Sequence, residues 1–556
     1  MNALWLAGLA PWAALLLLPF AGAARPWLPV AAAGLVGVAA GVTPAGAEVA
    51  LDMVLLGLHG SLDAQTRMLL AATALIWVAV TVAQVRRRTC EHETDGVRDG
   101  LLLTAMGGNV WVLLSDDASG FFLGYALMGL SAAILILRPG YLREGGGPAG
   151  LGPARLARTA TLYALALTVL GESLLLAGLM RAAADAPDLL LSSLRDHADP
   201  QAMGLILLAL GIKFAVPGLH FYLPLAYGAA PAPVAAALGG AVMSAGIAAL
   251  AALSPWGRAG FESLGAALLV LGTLAAFYGV AMGLPQRLPR ALLGYSSMSQ
   301  MGLVLMLSGW MLSRPAVSEV VAANLLLAFA VHHGLVKAAL LLLADGPRVR
   351  MSRLRWGLAA WLALSLAGLP LTSGWWAKAA LKTGLADWPW LWALSLSTLA
   401  TTLLMVRLLW LLRPQRSSRT ASSAPAAVWF LALAGVWVAP VWTASLSGAQ
   451  PEWAASWPIV LGLALAAVAW AMLRDRLPPA LRRMPPGDGV SIMLRRLKPS
   501  SRLLPNRHAG MTQPCPADAA PASLASDFEN ELRQWPLAGV GLLLVLTILF
   551  VSLLLI

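Results

Sequence analysis

The sequence predicts an all-α polytopic membrane protein. Three observations carry that expectation: pervasive hydrophobicity, apolar segments of spanning length, and basic residues that alternate in abundance between those segments. Of 556 residues, 59% are hydrophobic and only 12% are charged, which argues against a soluble fold. Apolar stretches of about 20 residues, the length a helix needs to cross a bilayer, recur along nearly the whole chain. A formal charge of +12 would suggest nucleic acid in a soluble protein. Here the basic residues lie between apolar segments, where they set topology, so the expected surroundings are lipid bilayer and no nucleic acid is expected.

The apolar pattern gives sixteen predicted helices, at roughly 2–24, 26–46, 68–85, 99–115, 118–138, 157–182, 201–221, 234–253, 261–284, 290–312, 317–345, 354–384, 388–412, 426–447, 453–474 and 534–556. The twelfth is broken near 372. Basic residues test the count, because they collect on the cytoplasmic side. With the N-terminus outside, 28 of them fall in cytoplasmic segments, including Arg86, Arg87 and Arg88, the group Arg348, Arg350, Arg353 and Arg355, and the arginine-rich stretch 475–533. Five fall outside: Arg67, Arg181, Arg195, Arg258 and Arg314. Losing one helix would destroy that alternation downstream. The expected placement is a multi-pass protein of the bacterial inner membrane with both termini periplasmic.

Two further readings concern the ends and the cysteines. The segment Met1–Ala24 has no basic region before its apolar run, so it reads as a first spanning helix rather than a cleaved signal. Residues 475–533, rich in Arg, Pro and Ser, read as a solvated cytoplasmic linker. Within it, GVSIMLRRL (Gly489–Leu497) has the composition to lie on an anionic leaflet. Cys90 and Cys515 are far apart, with no CxxC and no Cys/His cluster, so no metal and no cofactor site is expected.

The remaining basic residues, Lys213, Lys337, Lys378, Lys382 and Arg407, sit inside or at the ends of apolar segments. Four of the chain's five lysines are in this group. Where a positive charge only sets topology the chain uses arginine, which keeps its proton. Inside the membrane it uses lysine, which can release one.

The stretch Gly211–Pro233 (GIKFAVPGLHFYLPLAYGAAPAP) places Lys213 one turn before Pro217 in what reads as the middle of a helix. Proline removes a backbone donor, and at membrane depth the freed carbonyls need protein or water as partners. His220 follows in the same segment and is placed with the proton path. A second interrupted helix, GLPLTSGWWAKAALK (Gly368–Lys382), carries Pro370, Gly374, Lys378 and Lys382. Lys378 is the stronger candidate, and Lys382, near the outer end, fits a snorkelling role. Paired interrupted helices point to an internal repeat with an ion path along its axis. Between them, HHGLVK (His332–Lys337) puts His333 and Lys337 four residues apart on one helix face, with His332 alongside. Glu172, in LTVLGESLLLAGL, is the carboxylate well inside an apolar span and the expected partner of a lysine.

Four of these stretches, LLGYSSMSQMGLVLM (Leu292–Met306), HHGLVKAALLLLADG (His332–Gly346), KFAVPGLHFYLPLAYGAAPAPVAAAL (Lys213–Leu238) and GLPLTSGWWAKAAL (Gly368–Leu381), occur in one family's order. The chain resembles the antiporter-like subunits of complex I, of Mrp-type cation/proton antiporters and of membrane-bound hydrogenases, over roughly residues 95–410. That resemblance implies two inverted five-helix repeats, each with a broken helix. The corresponding division is 1–94 (three N-terminal helices), 95–260 (first repeat), 261–412 (second repeat), 413–474 (two helices), 475–533 (linker) and 534–556 (last helix).

The resemblance also implies a hydrophilic axis. Lys213 falls on the lysine of the first broken helix, Lys337 and His333 on the central pair, and Lys378 on the titratable residue of the second broken helix. Glu172 falls where some members carry an aspartate. Two departures stand out. The family's glutamate is replaced by Ala126 in FFLGYALMGLSAAILI, and the usual lysine or histidine of the eighth helix by Ser244. Phe329 occupies the place of a second histidine in some relatives.

The function this implies is a proton-translocating component of a multisubunit complex, coupled to redox chemistry or to exchange of a cation such as Na⁺, with other membrane subunits as partners. The chain is not expected to be catalytic alone, although its complex would be of NADH:quinone oxidoreductase-like or hydrogenase-like type. Two alternatives keep the fold: the proton-flux component of a two-component inorganic-carbon uptake system, or a non-conducting membrane scaffold.

Overall fold

The computed structural model describes residues 3–51, 57–91, 96–137, 153–315, 317–344, 353–413 and 426–473. All of them belong to one compact unit, Met1–Gly487. The expected linker 475–533, the last helix 534–556 and Cys515 lie outside the described residues.

Among the described residues, the structure is all-α apart from one hairpin. The order is α1 (Leu4–Leu17), α2 (Leu28–Val42), β1 (Ala47–Leu51), β2 (Leu58–Leu62), α3 (Ala64–Glu91), α4 (Gly96–Leu114), α5 (Ala118–Leu135), α6 (Pro153–Asp185), α7 (Leu191–His197), α8 (Pro200–Lys213) and α9 (Tyr222–Ala229). There follow α10 (Ala232–Ala237), a π-turn (Leu238–Val242), α11 (Met243–Leu253), α12 (Glu262–Gly283), α13 (Pro289–Leu312), α14 (Glu319–Leu343), α15 (Arg353–Ala367), α16 (Ser373–Gly384), α17 (Trp392–Leu411), α18 (Ala426–Ser447) and α19 (Trp457–Leu473).

Fifteen of the sixteen predicted segments are helical over most of their length. Among the described residues, ten helices are long and apolar enough to cross a membrane, and three further apolar helices, Leu4–Phe20, Pro200–Lys213 and Trp453–Ala469, are shorter. The predicted helix at 201–221 stops at Lys213, which is therefore a terminal residue and not a mid-helix one. The twelfth segment breaks as expected, between Ala367 and Ser373.

Two additions were not legible. The antiparallel hairpin β1–β2 pairs Val49 with Gly60 and docks on the α4–α5 connection, where Asp116 N donates to His59 O at 2.9 Å and His59 N donates to Asp117 Oδ2 at 2.8 Å. Asp117 also caps α5 by accepting from Gly120 N. The short α7 precedes α8, whose N-cap Asp199 accepts from Ala202 N and from Arg181 at 2.6 Å. The Arg181 guanidinium beside it holds the Asp199 carboxyl below the usual carboxylate range.

The bundle is built inside out relative to a soluble protein. Helix α13 and all but the first turns of α14 are enclosed, whereas α12 shows apolar side chains such as Val270 and Leu274 to the outside. Close approach of α12 to α13 depends on small residues: a Cβ at Gly272 would lie 2.6 Å from Gly302 O, and one at Gly302 2.5 Å from Ala276 N. With that face of α13 closed against α12, the residues Ser296, Ser297, Ser299 and Gln300 are carried into the protein interior. A set of polar side chains is thus enclosed within the bundle, among them Ser296, Gln300, His332, His333 and Lys337.

Candidate functional site

The first break is made by sequence chemistry that is easy to follow. Pro217 lacks the N–H that would have reached the carbonyl of Lys213. The chain turns through Ala215, at φ +57°, and Gly218, at φ +94°. The carbonyls left at the end of α8 are taken up by the Tyr222 hydroxyl, which donates to Lys213 O at 3.0 Å and to Ile212 O at 3.1 Å. Lys213 is thereby fixed at the end of its helix and directed toward α5, where its Nζ stands 3.8 Å from the centroid of the Tyr125 ring, a cation–π contact.

Glu172 of α6 is buried and lies within electrostatic reach of Lys213. Its carboxylate packs on Gly129 of α5, where a Cβ would collide with Oε1. Oε1 has no hydrogen-bond partner among the described residues. The structure therefore brings Glu172, Tyr125 and Lys213 together from α6, α5 and α8. His220, beyond the break, is directed elsewhere: it stacks edge-on with Tyr278 at 5.0 Å and tilts against Tyr295 at 6.4 Å, on α12 and α13.

Lys337 is completely buried on α14. Its Nζ donates to Ser296 Oγ at 2.9 Å and to Leu293 O at 3.3 Å, both on α13. His332 and His333 are its electrostatic neighbours and part company from there. His332 Nδ1 is hydrogen-bonded to Ser373 Oγ at 2.8 Å, and Ser373 to Ser365 Oγ at 3.2 Å. His333 stacks on Phe329 at 6.3 Å, and neither of its ring nitrogens has a hydrogen-bond partner among the described residues. The shared face predicted for His333 and Lys337 is thus present, but the hydrogen-bonded link onward runs through His332.

Ser365 and Ser373 flank the second break. Gly368 adopts φ +99° and Leu371 φ +63°, while Pro370 withholds its donor from the ladder. Gly374 lies so close to Ser365 O that no side chain fits there. Lys378 folds its stem over the break, its Cγ 3.0 Å from where a Cβ on Gly368 would be. Its enclosed Nζ has no hydrogen-bond partner among the described residues, and His332 is within its field. Lys382 is separate from this group and forms an exposed 2.7 Å ion pair with Glu452.

The geometry is two groups of buried ionisable side chains in a helix bundle, Glu172 and Lys213 with Tyr125 at the first helix break, and Lys337, His332, His333 and Lys378 beside the second. Residues 149–404 match the family model described as NADH:quinone oxidoreductase/Mrp antiporter, TM. NAD(P)H-quinone oxidoreductase chain 4 of Synechococcus sp. (strain RCC307) is 32% identical over 182 residues, 30% of this chain and 32% of that one. The same-named chain of Prochlorococcus marinus (strain MIT 9211) is 34% identical over 184 residues, 30% of this chain and 31% of that one. The chain spans about a third of the length of these curated relatives. The chain carries, over residues 149–404, the membrane domain of the NADH:quinone oxidoreductase/Mrp antiporter family.

Two solved structures share the fold of this chain. A chain from the Mrp complex of Dietzia sp. DQ12-45-1b superposes with a TM-score of 0.63 at 19% identity, covering 86% of this chain and 99% of that one. A chain from an archaeal membrane-bound sulfane sulfur reductase, a respiratory membrane complex, does so with a TM-score of 0.64 at 18% identity, covering 84% and 99%. Both are subunits of multisubunit membrane assemblies.

Sequence reasoning did not single out Tyr125, Tyr222, Ser296 or Ser373. Tyr125 had one available signal, since it adjoins Ala126 in an otherwise apolar helix. Ser244, one of the two positions where a titratable group is absent, also has a structural setting. Ser244 donates to Ala330 O at 3.0 Å and packs against Gly334, both on α14. Two residues on, Gly246 lies 3.5 Å from the Lys213 stem, measured from an added Cβ. The chain therefore has neutral packing at Ser244, where the resemblance implied a base.

Proposed function

We propose that this chain carries protons through a multisubunit inner-membrane complex, along a relay from Glu172 and Lys213 through Lys337, His333 and His332 to Lys378. The observation that carries this reading is the setting of Lys337. A buried ammonium is costly at membrane depth, and here its two hydrogen-bond partners are neutral oxygens, Ser296 Oγ and Leu293 O. A group so placed is well suited to carrying charge only during transfer. His332 and Ser373 supply a donor–acceptor continuation toward Lys378. Lysines and histidines can load and unload a proton in turn, which arginine cannot do.

The inverted-repeat division at 95–260 and 261–412 belongs to the same proposal. Among the described residues, the two non-glycine positions with positive φ are Ala215 and Leu371, one in each break. That likeness supports two copies of one five-helix unit. Drive would come from a partner subunit, through redox-linked conformational change or exchange against Na⁺. The complex purified with its partners and placed in liposomes should change interior pH under one of two drives, a Na⁺ gradient or reductant plus quinone. Silence under both would favour the scaffold reading, which the neutral Ser244 contact also suits.

The proposed topology has both termini in the periplasm and residues 475–533 in the cytoplasm. A reporter active only in the cytoplasm should give signal when fused at position 510 and none at 556. The opposite pattern would overturn the sixteen-helix assignment.

A further inference from the structure

The π-turn Leu238–Val242 lies between the surroundings of the two lysines. It presses against α14 around Lys337: a Cβ on Gly240 would stand 2.8 Å from Ala338 Cβ and 3.1 Å from Gly334 O. Ser244, just beyond it, bonds Ala330 O, and Gly246 underlies the Lys213 stem. A π-turn interrupts the regular helical ladder, so carbonyls within it call for donors from elsewhere.

One such donor comes from outside residues 149–404. Asn109 of α4, fully buried, donates from Nδ2 to Ala241 O at 3.1 Å and to Met128 Sδ at 3.6 Å. Its Oδ1 accepts from Trp77 Nε1 of α3 at 2.9 Å. The indole is a donor only, so it fixes which end of the amide meets it and turns the NH₂ group toward Ala241. The carboxamide has no freedom to flip without facing donor against donor.

We propose that Asn109, oriented by Trp77, is a positioning residue that holds the π-turn in register and thereby couples the N-terminal helices to proton transfer between Lys213 and Lys337. Asn109 itself takes no proton. It sets where Ser244 and Gly246 lie, and these are the residues that touch α14 and Lys213. The inference rests on the relay reading and extends it to helices beyond the matched family domain.

The test uses the purified complex in liposomes, with flux compared to wild type across a range of pH and with subunit abundance measured alongside. Asn109→Leu removes the amide's bonds and should lower flux roughly tenfold, the factor one lost buried hydrogen bond is worth. Trp77→Phe removes only the indole donor and should lower flux less. Asn109→Asp supplies the decisive readout. Its protonated carboxyl can donate to Ala241 O as the amide does, whereas its carboxylate sets two acceptors against each other.

Flux through Asn109→Asp should therefore approach wild type at acid pH and fall away at alkaline pH. The groups that meet the native amide, Trp77, Met128 and Ala241, are uncharged, so this added pH dependence should be absent from the parent. A loss by the same factor at every pH would overturn the proposal, as would full flux with Asn109→Leu. If Asn109→Leu fails to accumulate, Asn109→Asp and Trp77→Phe still decide it. Should Lys337→Ala retain flux, the relay itself fails; should it lose flux while all three variants here keep theirs, only the positioning role fails.

Discussion

Proton movement by the reconstituted complex should collapse when Lys337 is replaced by alanine, although the complex should still assemble. The side chain is wholly buried and bonds α13 through Ser296 Oγ and Leu293 O. Alanine leaves no charge to bury, so the membrane cost falls. It does strand the Ser296 hydroxyl and leave a space, a penalty of about 2–5 kcal/mol for a large-to-small change in a packed core. Flux should drop by roughly 10²-fold or more, the contribution of a positioned acid–base group to a proton transfer. Arginine should fail as well, because it holds its proton. Full flux with alanine would sink the relay and promote the scaffold. Loss with alanine but retention with arginine would mean that fixed charge matters and its titration does not.

Glu172→Gln should lower flux by about fivefold, the equivalent of about 1 kcal/mol on one transfer step, with a smaller change in abundance. The carboxylate is the acid whose field reaches Lys213, and glutamine keeps its shape against Gly129 while removing its charge. Ala126→Glu should restore part of the loss, since it returns a carboxyl to the helix that already presents Tyr125 to the Lys213 ammonium. Normal flux in Glu172→Gln would remove Glu172 from the path. Loss of assembly in both variants would make it a packing residue.

The skeleton of this chain was readable because its signals are one-dimensional. A lysine within an apolar run is anomalous wherever it points, so Lys213, Lys337 and Lys378 stand out before any contact is known. Proline within such a run is equally conspicuous, and both breaks fall near their prolines. What the residues could not announce was partnership across helices. Ser296, Ser373 and Tyr125 are ordinary residues for a membrane segment, and only packing shows that they meet Lys337, His332 and Lys213. Spacing correctly put His333 on the face of Lys337, yet the neighbour with the onward hydrogen bond is His332, because the second break brings Ser373 to that side. The π-turn in LGGAV and the hairpin at 47–62 carry no comparable mark.

The Tyr222 hydroxyl has a consequence for how the first break behaves. By bonding the carbonyls of Ile212 and Lys213, it closes the intervening residues into a small ring, and a ring cannot swing as a free hinge does. Bending at this point requires the phenol to let go first, baring the Lys213 carbonyl in an apolar setting, while Ile212 O keeps the bond from Ala215 N. The segment is therefore a latch whose release has a threshold. Chain length matters in such a ring: one inserted residue between Lys213 and Tyr222 would move the hydroxyl off its targets, whereas an insertion in a solvated connection displaces nothing.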